Sequence, residues 1–438
     1  MFAPGSAAFS STIASFTGDW VGVGSPGART AVTSYPAPRA SPRHRRRRSG
    51  LTQYIRRAAI RFPLAEAAAR GSQMSVLEDV TTPQVIIDRD VLDRNITRMA
   101  ASVAGKGLRL RPHAKTHKVL QIADRQLAAG AVGLTVATIG EAEVFADHGV
   151  EDLFIAYPLW ITRPQAERLR RLSARARVSV GVDSVEGATT MGAALNGAAG
   201  QIAVLVEIDS GHHRSGASPD LAVEVARAAD RAGLRVGGVF TFPGHSYAPG
   251  MPQQAVEQEQ AALAEATELL TAAGYDASRR SGGSTPTATL TGPSVATEVR
   301  PGVYVFGDAQ QLELERCGWD DIALSVAATV ISRHDTGRGS PRRVVLDSGS
   351  KVLGSDRPAW ATGHGRVIDH PEARITALSE HHATVVWPEE SPLPVLGERL
   401  RVIPNHVCIT MNLVDEVAVV SGGQIVDRWA VAARGKNY

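Results

Sequence analysis

The sequence predicts an α/β protein, a (β/α)8 TIM-type barrel followed by a C-terminal all-β domain. Between residues 83 and 273, short apolar runs alternate with helical stretches, and successive strands begin roughly 25 residues apart. This alternation indicates a parallel sheet covered by helices, and the number of βα units favours a closed eight-stranded barrel. After about residue 325 the apolar runs continue without long helices between them, which is typical of an all-β domain.

The elements of the predicted barrel domain, residues 76–325, follow from their apolar patterns. The predicted strands cover residues 85–87, 108–111, 133–137, 153–156, 178–182, 202–208 and 236–241. The predicted helices cover residues 91–103, 117–129, 139–148, 163–174, 185–197, 219–232 and 252–273.

The predicted β domain spans residues 326–438. Its strands cover residues 324–332, 343–347, 365–368, 375–379, 382–387, 399–403, 416–420 and 424–432. A barrel followed by a β domain is a specific combination, which narrows the fold classes to be considered.

Residues 1–73 differ in composition from the rest of the chain. They hold eleven arginines against two acidic residues, a net charge of +9, whereas the whole chain carries +3 and the remainder therefore −6. A transit peptide or a basic nucleic-acid-binding arm would explain this segment. We favour a disordered or wrongly assigned extension with the true start at Met74, and we expect no nucleic-acid partner for the folded part.

The two cysteines, Cys317 and Cys408, are too few for a disulfide framework in a chain of this length. They favour a reducing, cytoplasmic location. No apolar run has the length needed to cross a bilayer, so no membrane association is expected.

Two basic or small-residue motifs fall where barrel strands end. In 109–118, Lys115 lies among Arg111, His113 and Lys118, and nearby positive charge lowers the pKa of an amine and makes it nucleophilic. The segment 281–287, Ser-Gly-Gly-Ser-Thr-Pro-Thr, offers N–H groups and hydroxyls that could surround an anion late in the barrel. A solvated basic loop and an ordinary Gly/Ser turn remain the alternatives.

Two further motifs also admit alternatives. The turn 207–216 is rich in charge at a strand end, which suggests cofactor or substrate contacts or else a salt-bridged turn. His406 and Cys408 stand two apart, so on an extended chain they point to one side and could bind a metal ion such as zinc. A third ligand or substrate oxygens would have to complete that site; a buried cysteine beside a satisfied histidine is the alternative.

Six ordered motifs together resemble a known family. They are the segments 111–117, 244–247, 283–287, 298–304, 346–351 and 404–408. Over residues 76–438 the chain is similar to eukaryotic-type D-serine dehydratases and D-threonine aldolases, which share the fold-type III architecture of alanine racemase. The resemblance implies pyridoxal 5'-phosphate as cofactor, a small D-amino acid as substrate and a homodimer with sites at the interface.

The resemblance also implies roles for individual residues. Lys115 matches the catalytic lysine that carries the cofactor as a Schiff base, and Arg214 is a candidate partner of the pyridine nitrogen. His406 and Cys408 match the metal ligands, for Zn²⁺ or another divalent ion such as Mn²⁺ or Mg²⁺. The other matches to cofactor-binding residues are His245, Tyr247, Gly282, Gly283, Ser284, Thr285 and Tyr304.

The reaction expected from the resemblance is loss of water from D-serine, giving pyruvate and ammonia. The His-x-Cys pair favours this dehydratase over a D-threonine aldolase, which would release glycine and acetaldehyde. An amino-acid racemase and a non-catalytic cofactor-binding protein are more distant alternatives, against which the metal pair in the β domain argues.

Overall fold

The computed structural model describes residues 77–196, 198–292, 295–335 and 341–438. The predictions made for residues 1–73 lie outside the described residues. In chain order, the strands are β1 (Gln84–Asp88), β2 (Arg109–Leu110), β3 (Leu134–Val136), β4 (Asp152–Pro158), β5 (Arg177–Val182), β6 (Ala203–Glu207), β7 (Arg235–Phe240), β8 (Arg280–Gly282), β9 (Glu298–Val299), β10 (Leu324–His334), β11 (Arg343–Leu346), β12 (Gly365–Val367), β13 (Arg374–Leu378), β14 (Ala383–Val386), β15 (Arg399–Pro404), β16 (Glu416–Ser421) and β17 (Gln424–Ala430).

The helices lie between these strands. They are α1 (Arg89–Ala104), α2 (Leu120–Ala128), α3 (Ile139–Asp147), α4 (Arg163–Ser173), α5 (Val185–Leu195), α6 (Ala222–Arg231), α7 (Pro252–Ala272), α8 (Thr285–Ala288), α9 (Ala309–Glu313), α10 (Ser350–Leu353) and α11 (Val407–Leu413). Several begin at a side-chain cap, as where Thr138 Oγ1 accepts the Glu141 N–H at 3.0 Å and Ser184 Oγ accepts the Gly187 N–H at 3.2 Å. Such caps satisfy N–H groups that the first helical turn leaves free.

Strands β2 to β9 form one parallel sheet in the order β2-β9-β8-β7-β6-β5-β4-β3. Its two edges meet, because His113 forms a parallel bridge with Thr135 and the Thr135 N–H donates to Pro112 O at 2.8 Å. The strands are rich in buried valine, as in β6, where every residue is buried. The (β/α)8 TIM-type barrel that the sequence predicts is confirmed.

A second sheet contains β1 and β10 to β17, in the order β13-β14-β11-β10-β1-β16-β17, with β15 joining β12 to β10. Apart from β1, it is built from the region that the sequence predicts to be all-β, so that part of the fold class is confirmed as well. The predicted strands match the observed ones to within one or two residues at most ends.

The structure differs from the sequence pattern at β1. The sequence pattern predicts that residues 85–87 form a barrel strand. In the structure, this strand, β1, instead pairs antiparallel with β10 and parallel with β16 in the second sheet. An apolar run followed by an amphipathic helix has the same pattern in either sheet, so the pattern alone does not indicate which sheet the strand joins. The chain therefore enters the second sheet before it builds the barrel.

The amino-terminal end of the barrel encloses a cluster of paired charges. Arg111 lies 2.6 Å from Asp152 and 3.2 Å from Glu298, and Arg279 lies 2.9 Å from Glu298. Ser281 Oγ also donates to Glu298 Oε1 at 2.7 Å. Although burial raises the pKa of Glu298, the two arginines and the hydroxyl outweigh it and hold that pKa at about 2.

Where the structure describes the chain, its helices lack the combination of length and apolar character that a membrane span requires.

Candidate active site

Two neighbouring cavities open where the barrel strands end at their carboxyl side, and His113 and Lys115 line both. The smaller, of about 280 Å³, is lined by His113, Lys115, Thr116, Phe242, Gly244, Tyr247, Ser284, Arg300, Gly302, Val303, Gln310, Asp356, His406 and Cys408. The larger, of about 400 Å³, is lined by His113, Lys115, Ala137, Ala156, Tyr157, Pro158, Asp183, Arg214 and Ser215. Nearly every barrel strand delivers a residue to these walls, as expected for the functional face of such a barrel.

Lys115 lies in a single 3₁₀ turn, Ala114–Thr116, directly after β2. Within the described residues its amine has no hydrogen-bond or ion-pair partner, and its nearest aromatic contact is the Phe242 ring, 5.9 Å from Nζ to the centroid. Burial lowers the pKa of Lys115; Cys408 and Glu141 oppose this shift, and the positive charges of Arg214 and Arg300 add to it. The amine is thus enclosed, unpaired and shifted toward its neutral form.

The neighbouring cations named in the sequence analysis do not produce this effect. Arg111 is turned into the barrel, where it pairs with Asp152 and Glu298. Lys118 lies 3.2 Å from Glu141 and donates to Asn412 Oδ1 at 2.7 Å and to Asn437 Oδ1 at 2.8 Å. That part of the prediction was wrong, because sequence proximity does not indicate which cations face the cavity.

Arg214 lines the larger cavity, and its guanidinium lies over the Phe242 ring, 4.8 Å from the centroid. Behind it, Glu207 at the end of β6 is buried, and burial raises its pKa to about 7. The remainder of this turn is an ordinary salt-bridged turn: His213 Nδ1 lies 2.7 Å from Asp209 Oδ2. The interpretation as cofactor or substrate contacts therefore applies to Arg214, and the interpretation as a salt-bridged turn applies to Asp209 and His213.

Tyr247, His245 and Tyr304, which the resemblance matched to cofactor-binding residues, differ in their positions relative to the two cavities. Tyr247 lines the smaller cavity, and burial raises the pKa of its phenol. His245 has both ring nitrogens buried without a hydrogen-bond partner among the described residues. The Tyr304 hydroxyl instead accepts a hydrogen bond from the Gln126 side-chain amide at 3.1 Å. Tyr304 is not among the described residues that line either cavity.

The segment predicted to surround an anion, residues 281–287 (the anion loop), lies at the end of β8. Some of its polar groups already form hydrogen bonds with other groups of the protein. The Gly283 N–H donates to Glu259 Oε1 at 2.5 Å, and the Ser284 N–H donates to Thr287 Oγ1 at 2.8 Å. Ser284 lines the smaller cavity, and its hydroxyl lies 3.0 Å from the hydroxyl of Ser246. Ser246 and Glu259 were not predicted, because they lie 38 and 24 residues from their partners in the loop and no local motif marks them.

His406 and Cys408 both line the smaller cavity, although not by the geometry that the sequence suggests. His406 is extended, but Cys408 lies in the first turn of α11, which begins at Val407. The expectation of an extended chain through Cys408 was therefore wrong; the turn into the helix, not strand alternation, brings the two side chains together.

The charges around this pair favour the metal-binding form of the thiol. Burial raises the pKa of Cys408, but His406, Lys115 and Thr116 outweigh it and lower that pKa overall. His406 Nδ1 lies 3.3 Å from Asp308 Oδ2, and the negative charges of Cys408 and Asp308 hold the pKa of His406 well above its usual value against the effect of burial.

His406 and Cys408 supply only part of the set of ligands that a divalent metal needs. Imidazole nitrogen and thiolate sulfur are zinc ligands. In the described part of the chain, however, three or more His, Cys, Asp or Glu side chains do not come together around one point. His406 and Cys408 can therefore supply two ligands of an open site whose other positions are filled by water or substrate.

The residues also suit pyridoxal phosphate. Its aldehyde needs an unpaired amine, which Lys115 offers, and its phosphate needs hydroxyl donors, of which Ser284 lines the smaller cavity. His113 Nδ1, buried beside Lys115, has no hydrogen-bond partner within the described residues. Buried polar atoms are rarely left unpaired without a functional reason.

A closed parallel barrel joined to a second sheet, with an unpaired lysine at the carboxyl ends of the strands, defines the fold-type III pyridoxal-phosphate enzymes. Residues 87–310 match the family model of the alanine racemase N-terminal domain, and residues 323–420 match that of a serine dehydratase domain. The chain belongs to this family of alanine racemase-like enzymes, within the branch of pyridoxal-phosphate lyases acting on D-amino acids.

Characterised relatives support the same branch. The D-threo-3-hydroxyaspartate dehydratase of Delftia sp. (strain HT23) is 38% identical over 352 residues, covering 75% of this chain and 91% of the relative. The D-threonine aldolase of Arthrobacter sp is 32% identical over 370 residues, covering 82% of this chain and 94% of the relative.

Solved structures agree with these relatives. The structure of the Delftia dehydratase covers 81% of this chain and 98% of its own, with a TM-score of 0.74 and 34% identity. Alanine racemase from Bacillus anthracis, at 16% identity and a TM-score of 0.60, shares the fold, covering 80% of this chain and 98% of its own.

Proposed function

We propose that this chain is a metal-dependent dehydratase that converts D-serine to pyruvate and ammonia. The observation that carries the proposal is the position of the His406 and Cys408 pair in the same cavity as the unpaired amine of Lys115. Because an amine and a metal-binding pair lie in one enclosure, one small substrate could reach both.

Solved variants of a D-threo-3-hydroxyaspartate dehydratase support the metal assignment. A variant of that enzyme in which a cysteine is replaced by alanine was solved in the metal-free form, and another variant replaces a histidine two residues earlier in its chain. The same His-x-Cys spacing occurs here at His406 and Cys408. We propose Zn²⁺ as the ion, since it suits both ligands, with Mn²⁺ or Mg²⁺ as alternatives.

The chemistry is divided between the bound groups and the protein. Pyridoxal phosphate, held at Lys115, supplies an electron sink for the carbon that loses its proton. A divalent metal at His406 and Cys408 supplies a Lewis acid toward the substrate β-hydroxyl.

The side chains of the protein move and hold the proton. Because burial lowers the pKa of Lys115, its amine is shifted toward the neutral form that accepts the α-proton. Arg214, fixed over Phe242, is the proposed partner of the pyridine nitrogen and keeps a positive charge on that side of the cavity. Tyr247 remains a neutral phenol, since burial raises its pKa.

The lining of the smaller cavity favours a neutral substrate side chain. The guanidinium of Arg300 is occupied by Thr241 O and Ser281 Oγ, both at 2.6 Å. A second carboxylate on the substrate would therefore gain no free guanidinium from Arg300. D-threo-3-hydroxyaspartate is the second candidate, because a relative at 38% identity is named for it.

Product analysis tests this proposal. The full chain, supplied with pyridoxal phosphate and zinc, would be incubated with D-serine, D-threo-3-hydroxyaspartate and D-threonine, each with and without EDTA. We expect pyruvate and ammonia from D-serine, abolished by EDTA. Oxaloacetate and ammonia formed from D-threo-3-hydroxyaspartate alone would identify that compound as the substrate in place of D-serine. Glycine and acetaldehyde formed from D-threonine would show that the enzyme is an aldolase.

We further propose a homodimer in the cytoplasm. Trp160 is 68% exposed and Tyr157 37% exposed near the larger cavity, where a second copy would cover them. Both cysteines are free thiols, as a reducing compartment requires. Light scattering of the purified protein would show twice the chain mass if the proposal is correct and the chain mass if it is wrong.

A further inference from the structure

A buried carboxyl group lies directly behind the anion loop. Glu259, on α7, is fully buried, and its Oε1 accepts the Gly283 N–H at 2.5 Å. Its second oxygen, Oε2, is buried with no hydrogen-bond partner among the described residues. A side chain in this position has no role in the chemistry proposed above.

The fit between this carboxyl and the loop is tight. A Cβ atom placed on Gly282 would come within 2.3 Å of Glu259 Oε1, so only glycine leaves room for the contact. Gly283 adopts a φ of +74°, a conformation that glycine permits at little cost. The loop then continues to Ser284, which lines the smaller cavity. Glu259 therefore fixes the turn from which the cavity-lining hydroxyl extends.

Few charges act on this carboxyl. Burial raises the pKa of Glu259 to about 7, opposed by the Gly283 N–H and by Arg300. The elements packed against α7 also carry Asp220, Glu224, Arg227, Asp230, Arg231, Arg235, His245 and Arg280. Of the charged side chains that the structure describes, Arg300 is the one that shifts the Glu259 carboxyl.

A carboxylate behind a phosphate-binding loop would repel the ligand. A pyridoxal-phosphate ester is a dianion near neutral pH, and two like charges in a low-dielectric site repel each other strongly. A protonated carboxyl keeps a carbonyl oxygen to accept the Gly283 N–H but carries no charge. The neutral acid thus keeps the structural contact and removes the repulsion.

We propose that Glu259 is a positioning residue that holds the Gly282–Thr285 loop for the cofactor phosphate, and that it does so as the neutral carboxylic acid. This inference rests on the proposed use of pyridoxal phosphate. It couples phosphate binding to a proton: above about pH 7 the apoprotein must take up a proton at Glu259 when the phosphate binds. The affinity for phosphate-bearing ligands therefore falls as the pH rises.

The test compares pyridoxal phosphate with pyridoxal, which lacks the phosphate but forms the same bond to Lys115. Dissociation constants of both would be measured by quenching of intrinsic fluorescence from pH 6 to pH 9. The proteins are the full chain, its Glu259→Gln variant and a Glu257→Gln control, a substitution at an exposed position two residues earlier on α7. The ratio of the two affinities cancels the titration of Lys115, which is common to both ligands.

In the wild type and the control, we expect the preference for pyridoxal phosphate over pyridoxal to fall by up to about tenfold per pH unit above pH 7. In Glu259→Gln, an uncharged isostere, the preference should stay constant and exceed the wild-type value at pH 9. A wild-type preference that does not change with pH, or the same decline in Glu259→Gln, would overturn the inference and leave the cofactor assignment standing. Failure of the wild type to bind pyridoxal phosphate at any pH would overturn the proposed function itself.

Discussion

Buried charged groups at the amino-terminal end of the barrel are paired, whereas the Lys115 amine at the carboxyl end has no partner among the described residues. At the amino-terminal end, Arg111, Asp152, Arg279 and Glu298 form a closed set of ion pairs. At the carboxyl end, Lys115 is unpaired within the described residues, and polar atoms of His113, Glu207 and His245 are buried without hydrogen bonds there.

The difference indicates which charges maintain the fold and which are held for a ligand. An unpaired buried polar group costs roughly 1–3 kcal/mol, so a cluster of them lowers stability unless a bound molecule supplies the missing partners. A buried ion pair costs little while complete but much when one partner is removed. Substitutions of paired charges should therefore affect folding, and those of the unpaired groups that line the cavities should affect binding and turnover.

Lys115 and Lys118 give the largest expected contrast, because they are three residues apart and differ in their partners. Lys115→Ala should lower activity by at least about 10³-fold and remove the visible absorption of bound cofactor, while leaving the urea unfolding midpoint of the apoprotein nearly unchanged. Lys118→Ala should lower the midpoint, since it strands Glu141, Asn412 and Asn437. The comparison fails if Lys118→Ala abolishes the cofactor absorption and Lys115→Ala does not.

At the paired end, Glu298→Gln should destabilise the protein strongly. It leaves Arg111 and Arg279 facing each other without the carboxylate, at a cost of about 3–5 kcal/mol in the free energy of unfolding. Glu416→Gln is the matched control, because its pair with Arg428 at 3.1 Å lies at the surface and should contribute less than about 1 kcal/mol. Urea unfolding of both variants measures the difference; equal losses would contradict the assignment of Glu298 to the fold.

The pH dependence of stability should reflect the same pair. The folded pKa of Glu298, about 2, is lower than the value of an unfolded glutamate, so its contribution is fully present above about pH 5. That contribution is lost as the pH falls from there toward 2. Urea midpoints between pH 3 and pH 7 should decline toward acid more steeply in the wild type than in Glu298→Gln, and parallel curves would show that this carboxylate is not responsible.

The smallest effect is expected at Glu207, the buried carboxyl of the unpaired end. Its folded pKa, raised by burial to about 7, exceeds the value of an unfolded glutamate, so the stability that it contributes at acid pH is lost as the pH rises from about 4 to 7. Glu207→Gln should therefore raise the free energy of unfolding relative to the wild type by at least about 1 kcal/mol at pH 8, with little gain at pH 4. A loss of stability at both pH values, measured by urea unfolding, would place Glu207 with Glu298 among the structural charges.

Local patterns predicted most of the fold. Valine-rich runs such as β5 and β6 and the long helix α7 have clear periodicities, and their observed ends lie within one residue or so of the predicted ones. The sheet that β1 joins, and the start of α11 at Val407, depend on packing by distant segments and had no local signal.

The site was predictable only as far as its residues occur in recognisable motifs. Lys115, His406, Cys408, Tyr247, Arg214 and Ser284 all reach a cavity wall in the structure. Glu259, Ser246 and Asp308 were missed because each acts on a residue distant in sequence. Tyr304 lies in a matching motif, yet its hydroxyl points to Gln126.

The most direct test of the account is the identity of the lysine that carries the cofactor. The protein would be loaded with pyridoxal phosphate, reduced with sodium borohydride, digested and analysed by mass spectrometry for pyridoxyl-lysine. We predict modification at Lys115 and none at Lys118, since the Lys115 amine is unpaired within the described residues whereas Lys118 pairs with Glu141. Stoichiometric modification at Lys118 or elsewhere, with Lys115 unmodified, would contradict the assignment of the unpaired end of the barrel as the active site.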